Sequence, residues 1–344
     1  MNTKLYKAFI ALSFIIFHLS FSVAQAQRKT CIDRDWLFFY GDGSAALNAD
    51  FVAADWRTID LPHDWSVETD AAGRAGGTVV GPFSTNSVGK YQTGHTVGGE
   101  GWYLKNVKIE KLENERISLY FEGAYNQTDV WLNGHRIYFN PYGYSSFRFD
   151  VTDELVEGDN TLLVRVRNEG NNTRWYAGSG IYRHVWLITT PKVHADEWDT
   201  YIQTEDETVN VTTCVYNDGT TSANGSVSVD IVDAQGATVA TKQTVINIAA
   251  NGEQTISLSL DLAGAQTWSP EAPYLYKAII RTTTGTTTDI LEKRFGVRSL
   301  KFSATEGFFS MASRHCCVAD AFTTITVCSV LLPTMLLRIE NCRC

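Results

Sequence analysis

Alternating apolar and polar positions run through most of the chain, and they predict strands. From Arg116 to Glu122 every second residue is apolar, which places Ile117, Leu119 and Phe121 on one face of a strand. Val130-Trp131-Leu132 runs into Asn133-Gly134, a strong hairpin signal, and Arg136 to Phe139 returns. Asn160 to Arg167 repeats the pattern, with Leu162, Val164 and Val166 inward and Arg165 and Arg167 outward. His184 to Thr189 supplies a further strand. Long stretches at the helical period are nearly absent, so residues 27–190 are expected to form an antiparallel sandwich of the jelly-roll type.

Pro191 begins a different register, rich in Thr, Ser and Val. Strands are predicted at Trp198 to Gln203, Thr208 to Tyr216, Ser226 to Val232, Thr238 to Ile248, Gln254 to Leu260, Lys277 to Thr283 and Thr288 to Arg294. Turn signals such as Asn217-Asp218-Gly219, Asn224-Gly225 and Asn251-Gly252 separate them. That spacing resembles an immunoglobulin-like sandwich over residues 191–298. The fold class read from the pattern is therefore all-β, in two consecutive sandwiches.

Composition adds constraints. A chain of 344 residues with 44% hydrophobic and 19% charged positions is long enough for two buried cores and unlike a disordered polymer. A formal charge of −9 excludes a phosphate-tracking nucleic-acid binder, which needs a basic face. At the N-terminus, Lys4 and Lys7 precede an apolar run from Ala8 to Val23 that ends in Ala24-Gln25-Ala26. This is the pattern of a bacterial-type signal peptide over residues 1–26, cleaved after Ala26. The expected location is exported, periplasmic or secreted, with no membrane span left after cleavage. The competing reading, a membrane anchor, needs about 20 apolar residues and charged flanks that the run lacks.

Cysteines are unevenly placed. Cys31 and Cys214 stand alone, while Cys316, Cys317, Cys328, Cys342 and Cys344 crowd the C-terminal segment. No Cys-x-x-Cys pair occurs and only His315 accompanies the cluster, so it is not read as a metal site. Cys214 reads as a buried small hydrophobe.

Three clusters combine aromatic rings with polar groups: Leu61-Pro62-His63-Asp64-Trp65, Gly101-Trp102-Tyr103, and Arg174-Trp175-Tyr176 leading into Ser179-Gly180-Ile181-Tyr182-Arg183. Such sets suit a sugar, whose apolar ring face stacks on an aromatic side chain while its hydroxyls need fixed polar partners. Each also fits plain packing. Trp36, Trp56, Trp131 and Trp186 are read as core residues, and His63-Asp64 as a pair that pins a turn.

Taken with Phe121-Glu122-Gly123-Ala124, Val130-Trp131-Leu132-Asn133-Gly134, Tyr142-Gly143-Tyr144, Trp268-Ser269-Pro270-Glu271-Ala272-Pro273-Tyr274-Leu275-Tyr276 and Phe295-Gly296-Val297-Arg298, these segments stand in the order found in glycoside hydrolase family 2. The chain resembles that family over residues 27 to about 309, most closely its β-galactosidase-type members. The resemblance implies a galactose-binding-like jelly roll, an immunoglobulin-like domain and then a catalytic (β/α)8 barrel. It also implies a β-galactoside or related glycan as partner and allows a homo-oligomer of the full-length protein. Cofactors and metals are not implied. In the family a barrel glutamate pair performs double displacement with retention.

Neither glutamate is located here, so no catalytic residue is assigned. Asn114-Glu115 and Asn168-Glu169 are read as solvated loop residues of the first sandwich. Where several members place an acidic residue at the barrel mouth, this chain has Arg174. Arg174, Trp175 and Tyr176 are the substrate-rim candidates.

Residues 299–309 resemble the approach to the barrel. After Phe308-Phe309 the family continues with Leu-Asn-Gly-Lys-Pro and a strand ending near paired histidines. This chain instead has Ser310-Met311-Ala312-Ser313-Arg314-His315-Cys316-Cys317. Codons for residues 310–344 read one base out of register permit the family's wording, with mainly wobble positions left to choose. Residues 310–344 are therefore expected to be a frameshifted tail, and the chain a truncated enzyme without activity. A non-catalytic carbohydrate-binding or adhesion module is the alternative.

Overall fold

The computed structural model describes residues 28–48, 51–68, 79–80, 83–87, 90–93, 95–110, 114–170, 178–303, 305, 307–310 and 313–315. The first sandwich uses β1 (Lys29–Cys31), β2 (Trp36–Tyr40), β3 (Arg57–Ile59), β4 (Val79–Val80), β5 (Phe83–Ser84), β6 (Gly99–Ile109), β7 (Glu115–Phe121), β8 (Gln127–Leu132), β9 (His135–Asn140), β10 (Phe147–Asp150), β11 (Gly158–Asn168) and β12 (Val185–Pro191). A second set follows: β13 (Val193–Glu205), β14 (Thr208–Asn217), β15 (Ala223–Val232), β16 (Thr238–Ile248), β17 (Gly252–Asp261), β18 (Tyr276–Thr284) and β19 (Thr287–Phe295). A small sheet of β20 (Leu300–Ser303), β21 (Gly307–Ser310) and β22 (Ser313–His315) comes last.

In the first sandwich a six-stranded sheet in the order β3-β2-β6-β11-β8-β9 faces a four-stranded sheet in the order β1-β12-β7-β10. All pairings in these two sheets are antiparallel. Alternation explains the core. Ile117, Leu119 and Phe121 of β7 meet Leu162, Val164 and Val166 of β11, joined by Trp36, Phe38, Tyr103 and Val185. The inward set predicted for these strands is the observed one. Asn133 takes the predicted turn at φ 51, followed by Gly134 at φ 83, as a tight hairpin requires.

The long strand β6 escaped the alternation pattern. Both its faces are covered: Tyr103 lies in the main core, and Trp102 lies on the outer side of the sheet, stacked on Trp131 at 5.5 Å. Gly101-Trp102-Tyr103 is thus the middle of a buried strand, with neither ring exposed. Trp36 packs in the core as expected. Trp131 is also core, in a second hydrophobic cluster with Trp102 and Leu163 on the outer side of the sheet, with Trp56 packed half-buried against it; Trp186 departs from the expected core, half-buried on the outer face of the four-stranded sheet.

Arg165 and Arg167 do leave the core face, but toward a buried acid. The side chain of Asp129 is wholly buried, and Arg165 Nη2 reaches it at 2.8 Å, Arg136 Nε at 2.8 Å and Arg167 Nη2 at 3.8 Å. Burial opposes the charge of Asp129, but hydrogen bonds from Arg165 and Arg136 overrule it and hold the carboxyl below its ordinary value. The Arg165 guanidinium also lies over both stacked indoles, 5.4 Å from Trp102 and 5.5 Å from Trp131.

The second sandwich packs the sheet β13-β14-β17 on β16-β15-β18-β19. Val209, Val211, Val215, Val227, Val229, Ile231 and Ile280 fill it, and Cys214 is buried as expected. Among the described residues three ion pairs tie the sandwiches together, the longest from Arg116 Nε to Asp218 Oδ2 at 3.7 Å. Arg28, just before β1, grips Asp289 on β19, and Arg148 Nη2 donates to Asp196 Oδ2 at 2.5 Å. Trp198 closes the seam, edge-on to Tyr120 at 5.5 Å and under the Arg148 guanidinium at 4.5 Å. Burial works against the Asp196 charge, yet Arg148 holds that carboxyl below its ordinary value.

One expectation is corrected. Asn168 is not a solvated loop residue: it ends β11, is buried, and donates Nδ2–H to Ser179 Oγ at 2.8 Å. The amide anchors a loop return, a role that needs burial. Glu169 is exposed, and Asn114 occupies a turn at φ 63 before Glu115 opens β7. Among the described residues there is no (β/α)8 barrel, and no helix is long and apolar enough to cross a membrane.

Candidate functional site

Arg174, Trp175 and Tyr176 lie outside the described residues. What is described is the frame on both sides of that loop, from Asn168 to Gly170 and from Gly178 to Tyr182, together with everything these ends are fastened to.

The fastening starts at Asp64. Its carboxylate caps the single 3-10 turn Trp65–Val67, where Oδ1 accepts Ser66 N–H at 2.9 Å and Ser66 Oγ–H at 2.6 Å. The same oxygen accepts Ser179 N–H at 2.8 Å. Backbone bonds run alongside, from His63 N to Ile181 O at 2.8 Å and from Trp65 N to Ser179 O at 3.0 Å. Burial pushes the Asp64 carboxyl up despite these donors. The space is so tight that a Cβ on Gly180, whose φ is +131, would meet His63 O and Tyr103 Oη at 2.5 Å. Only glycine fits there.

Beneath this turn runs a buried relay. Ile181 N–H donates to Tyr103 Oη at 3.4 Å, and that hydroxyl shares a hydrogen bond with His63 Nδ1 at 2.8 Å. His63 Nε2–H then donates to Glu68 Oε1 at 2.9 Å, and Arg57 Nη2 reaches Glu68 Oε2 at 2.5 Å. Burial drives the Tyr103 phenol well above its ordinary value, so it stays protonated. Burial opposes the charge of Glu68 too, but His63 and Arg57 overrule it and hold that carboxyl down. His63 and Asp64 therefore pin a turn, as read from the sequence, and they do so against Ser179 to Ile181.

A tyrosine ledge borders the segment from Gly180 to Tyr182. Tyr125 and Gly180 exchange both backbone hydrogen bonds, at 2.9 and 3.0 Å. Tyr144 stands edge-on to buried Tyr125 at 5.1 Å and to Tyr142 at 5.8 Å, and Tyr182 Oη–H donates to Gly143 O at 2.8 Å. Tyr142 and Tyr144 are 58% and 53% exposed, so this end of the sandwich presents two open phenol rings held from below. Sequence reading placed Tyr142-Gly143-Tyr144 in a family motif but not in the site. The signal was two aromatic residues flanking a glycine in a connection between strands, where neither serves a core face.

The frame offers apolar ring faces and phenol hydroxyls at one edge of a rigid sandwich, the surface chemistry that a sugar needs. The chain is also similar to known proteins. Residues 30–191 match the sugar binding domain of glycosyl hydrolases family 2, and residues 193–298 match a second domain of glycosyl hydrolases family 2. Beta-galactosidase BoGH2A of Bacteroides ovatus is 34% identical over 84% of this chain and 34% of its own length. A beta-glucuronidase of Formosa agariphila is 25% identical over 80% of this chain and 30% of its own. The crystal structure of a glycosyl hydrolase family 2 member from Bacteroides cellulosilyticus superposes with a TM-score of 0.78 at 32% identity, covering 85% of this chain and 38% of that one.

The architecture is that of the front domains of a carbohydrate-active protein. The chain belongs to glycosyl hydrolase family 2. It spans about a third of the length of the curated relatives it matches.

Proposed function

We propose that the two sandwiches serve an exported, retaining glycosidase of the β-galactosidase type, with Arg174, Trp175 and Tyr176 on the substrate rim. The observation that supports this most directly is the frame around their loop. Asp64, Gly180 and Tyr125 fix both the loop's base and the open rings of Tyr142 and Tyr144 beside it. The relative BoGH2A, described as a β-galactosidase, favours that sugar class.

The rim serves catalysis only opposite a glutamate pair, and residues 310–344 read as a frameshifted form of the segment that leads into the barrel. The chain as written then hydrolyses no glycoside. Nitrophenyl β-galactoside turnover by this chain, beside a version with the frame restored from the genomic locus and extended to its natural stop, tests both halves. Turnover by the restored form alone is expected; turnover by the chain as written overturns the reading. The exposed tyrosines favour one second reading, a carbohydrate-binding or adhesion module. A specific glycan-array signal removed by Trp175→Ala would support it.

A further inference from the structure

Outside the loop frame, one cluster of side chains has no part in the sugar reading. Cys31 at the end of β1, Asp33 two residues on, and His184 just before β12 bring Sγ, a carboxylate oxygen and a ring nitrogen within 4.8 Å of one another. Cys31 is an exposed free thiol, the His184 side chain is 48% exposed, and Asp33 is buried. Thiolate, imidazole and carboxylate together are the donor set of a borderline-soft divalent cation such as zinc. We propose that Cys31, Asp33 and His184 form a surface zinc-type site, with water as the fourth ligand.

The geometry needs little adjustment. Zinc bonds of about 2.3 Å to sulfur and about 2.0 Å to nitrogen and oxygen put tetrahedral ligands about 3.5 Å apart. The triangle therefore has to close by about 1 Å on its long side, while His184 Nδ1 and Asp33 Oδ2, now 2.6 Å apart, open slightly. The two exposed side chains can make that movement. Asp33 stays in place because its other oxygen accepts Val185 N–H at 2.9 Å. That fixed carboxylate is the outer-shell orientation a metal ligand requires.

Charge fits as well. A thiolate and a carboxylate offset the two positive charges of the ion, with His184 neutral. Glu122, held by Trp186 Nε1–H at 2.9 Å, adds negative potential, and Lys29 is occupied over the rings of Tyr120 and Trp186 at 5.0 and 4.6 Å. On binding, the Cys31 thiol gives up its proton to solvent, since the thiolate is the ligand. The ion would clip the three-residue edge strand β1, through Cys31, to His184 just before β12.

The test uses the full chain with Cys316, Cys317, Cys328, Cys342 and Cys344 replaced by serine, so that tail thiols do not bind the probe. Cobalt(II) is titrated as the spectroscopic stand-in, and zinc affinity is read by competition with a chromophoric chelator. One equivalent of cobalt should give a thiolate-to-metal absorption band. Cys31→Ser should remove the band, and both Cys31→Ser and His184→Gln should weaken zinc binding about tenfold or more. Circular dichroism of the variants should match the parent. Absence of the band in the parent, or unchanged zinc affinity in either variant, overturns the site.

Discussion

Arg28 and Asp289, 261 residues apart, form a two-pronged pair across the seam between the sandwiches: Nη1 lies 2.7 Å from Oδ1 and 2.6 Å from Oδ2. The same arginine donates from Nη2 to Ala195 O at 2.5 Å, and Asp289 accepts Ala195 N–H at 3.0 Å. The Asp289 side chain is only 2% exposed, and Arg28 is the cation set against it. Replacing one partner of a buried pair strands the other, which costs about 3 kcal/mol or more, while replacing both costs less. Arg28→Ala should therefore destabilise the protein more than Arg28→Ala combined with Asp289→Asn. Urea unfolding of the three proteins checks the order; a double variant as unstable as the single one would contradict it.

Asp129 is the corresponding anchor within the first sandwich. With three arginines aimed at a wholly buried carboxylate, Asp129→Ala should cost about 3–5 kcal/mol. The loss should appear as a lower midpoint in thermal or urea unfolding.

Acid should unfold the protein through these same groups. The carboxyls of Asp129 and Asp196 are held below their ordinary value of 3.8 by Arg165, Arg136 and Arg148 against the cost of burial. The folded state thus binds fewer protons than the unfolded one in this range. The stability they contribute is present above about pH 4 and is lost as pH falls through the lower folded values. Unfolding free energies measured at about pH 7 and about pH 3 should differ less for Asp129→Asn than for the parent.

Gly180→Ala should unseat the loop base. A methyl group there strikes His63 O and Tyr103 Oη and adds strain at a φ of +131, together costing about 2 kcal/mol. Thermal unfolding reports the loss, and ligand protection of any glycan bound at the rim should fall with it.

Tyr142→Ala and Tyr144→Ala should separate recognition from folding. Both rings are more than half exposed, so stability should change by no more than about 0.5 kcal/mol for Tyr142→Ala. Glycan binding measured by array or calorimetry should weaken in both. Unchanged binding would remove the ledge from the sugar surface.

Much of the fold was legible because one face of most strands is wet. The strands at 116–122, 160–167 and 254–260 alternate cleanly, and the structure places them at Glu115–Phe121, Gly158–Asn168 and Gly252–Asp261. Strand β6 was illegible for the opposite reason, since aromatic rings cover it on both sides and two glycines interrupt it. The site was legible only in part. His63 and Asp64 are neighbours, so a turn could be inferred from them. Tyr125, Tyr144 and Gly180 converge from three connections, and Cys31, Asp33 and His184 meet across a strand pair. No local pattern encodes either meeting.

The pairing of Lys29–Cys31 with Val185–Pro191 also orders the protein's birth on the ribosome. Residues 29–31 must wait, unpaired, for a partner synthesised some 150 residues later. The preceding Arg28 waits longer still, until β19 has been made. Strand β1 is thus seated only after most of the first sandwich has been made, and a nascent chain halted before β12 would leave the neighbouring strand β7 with an open edge for unwanted partners.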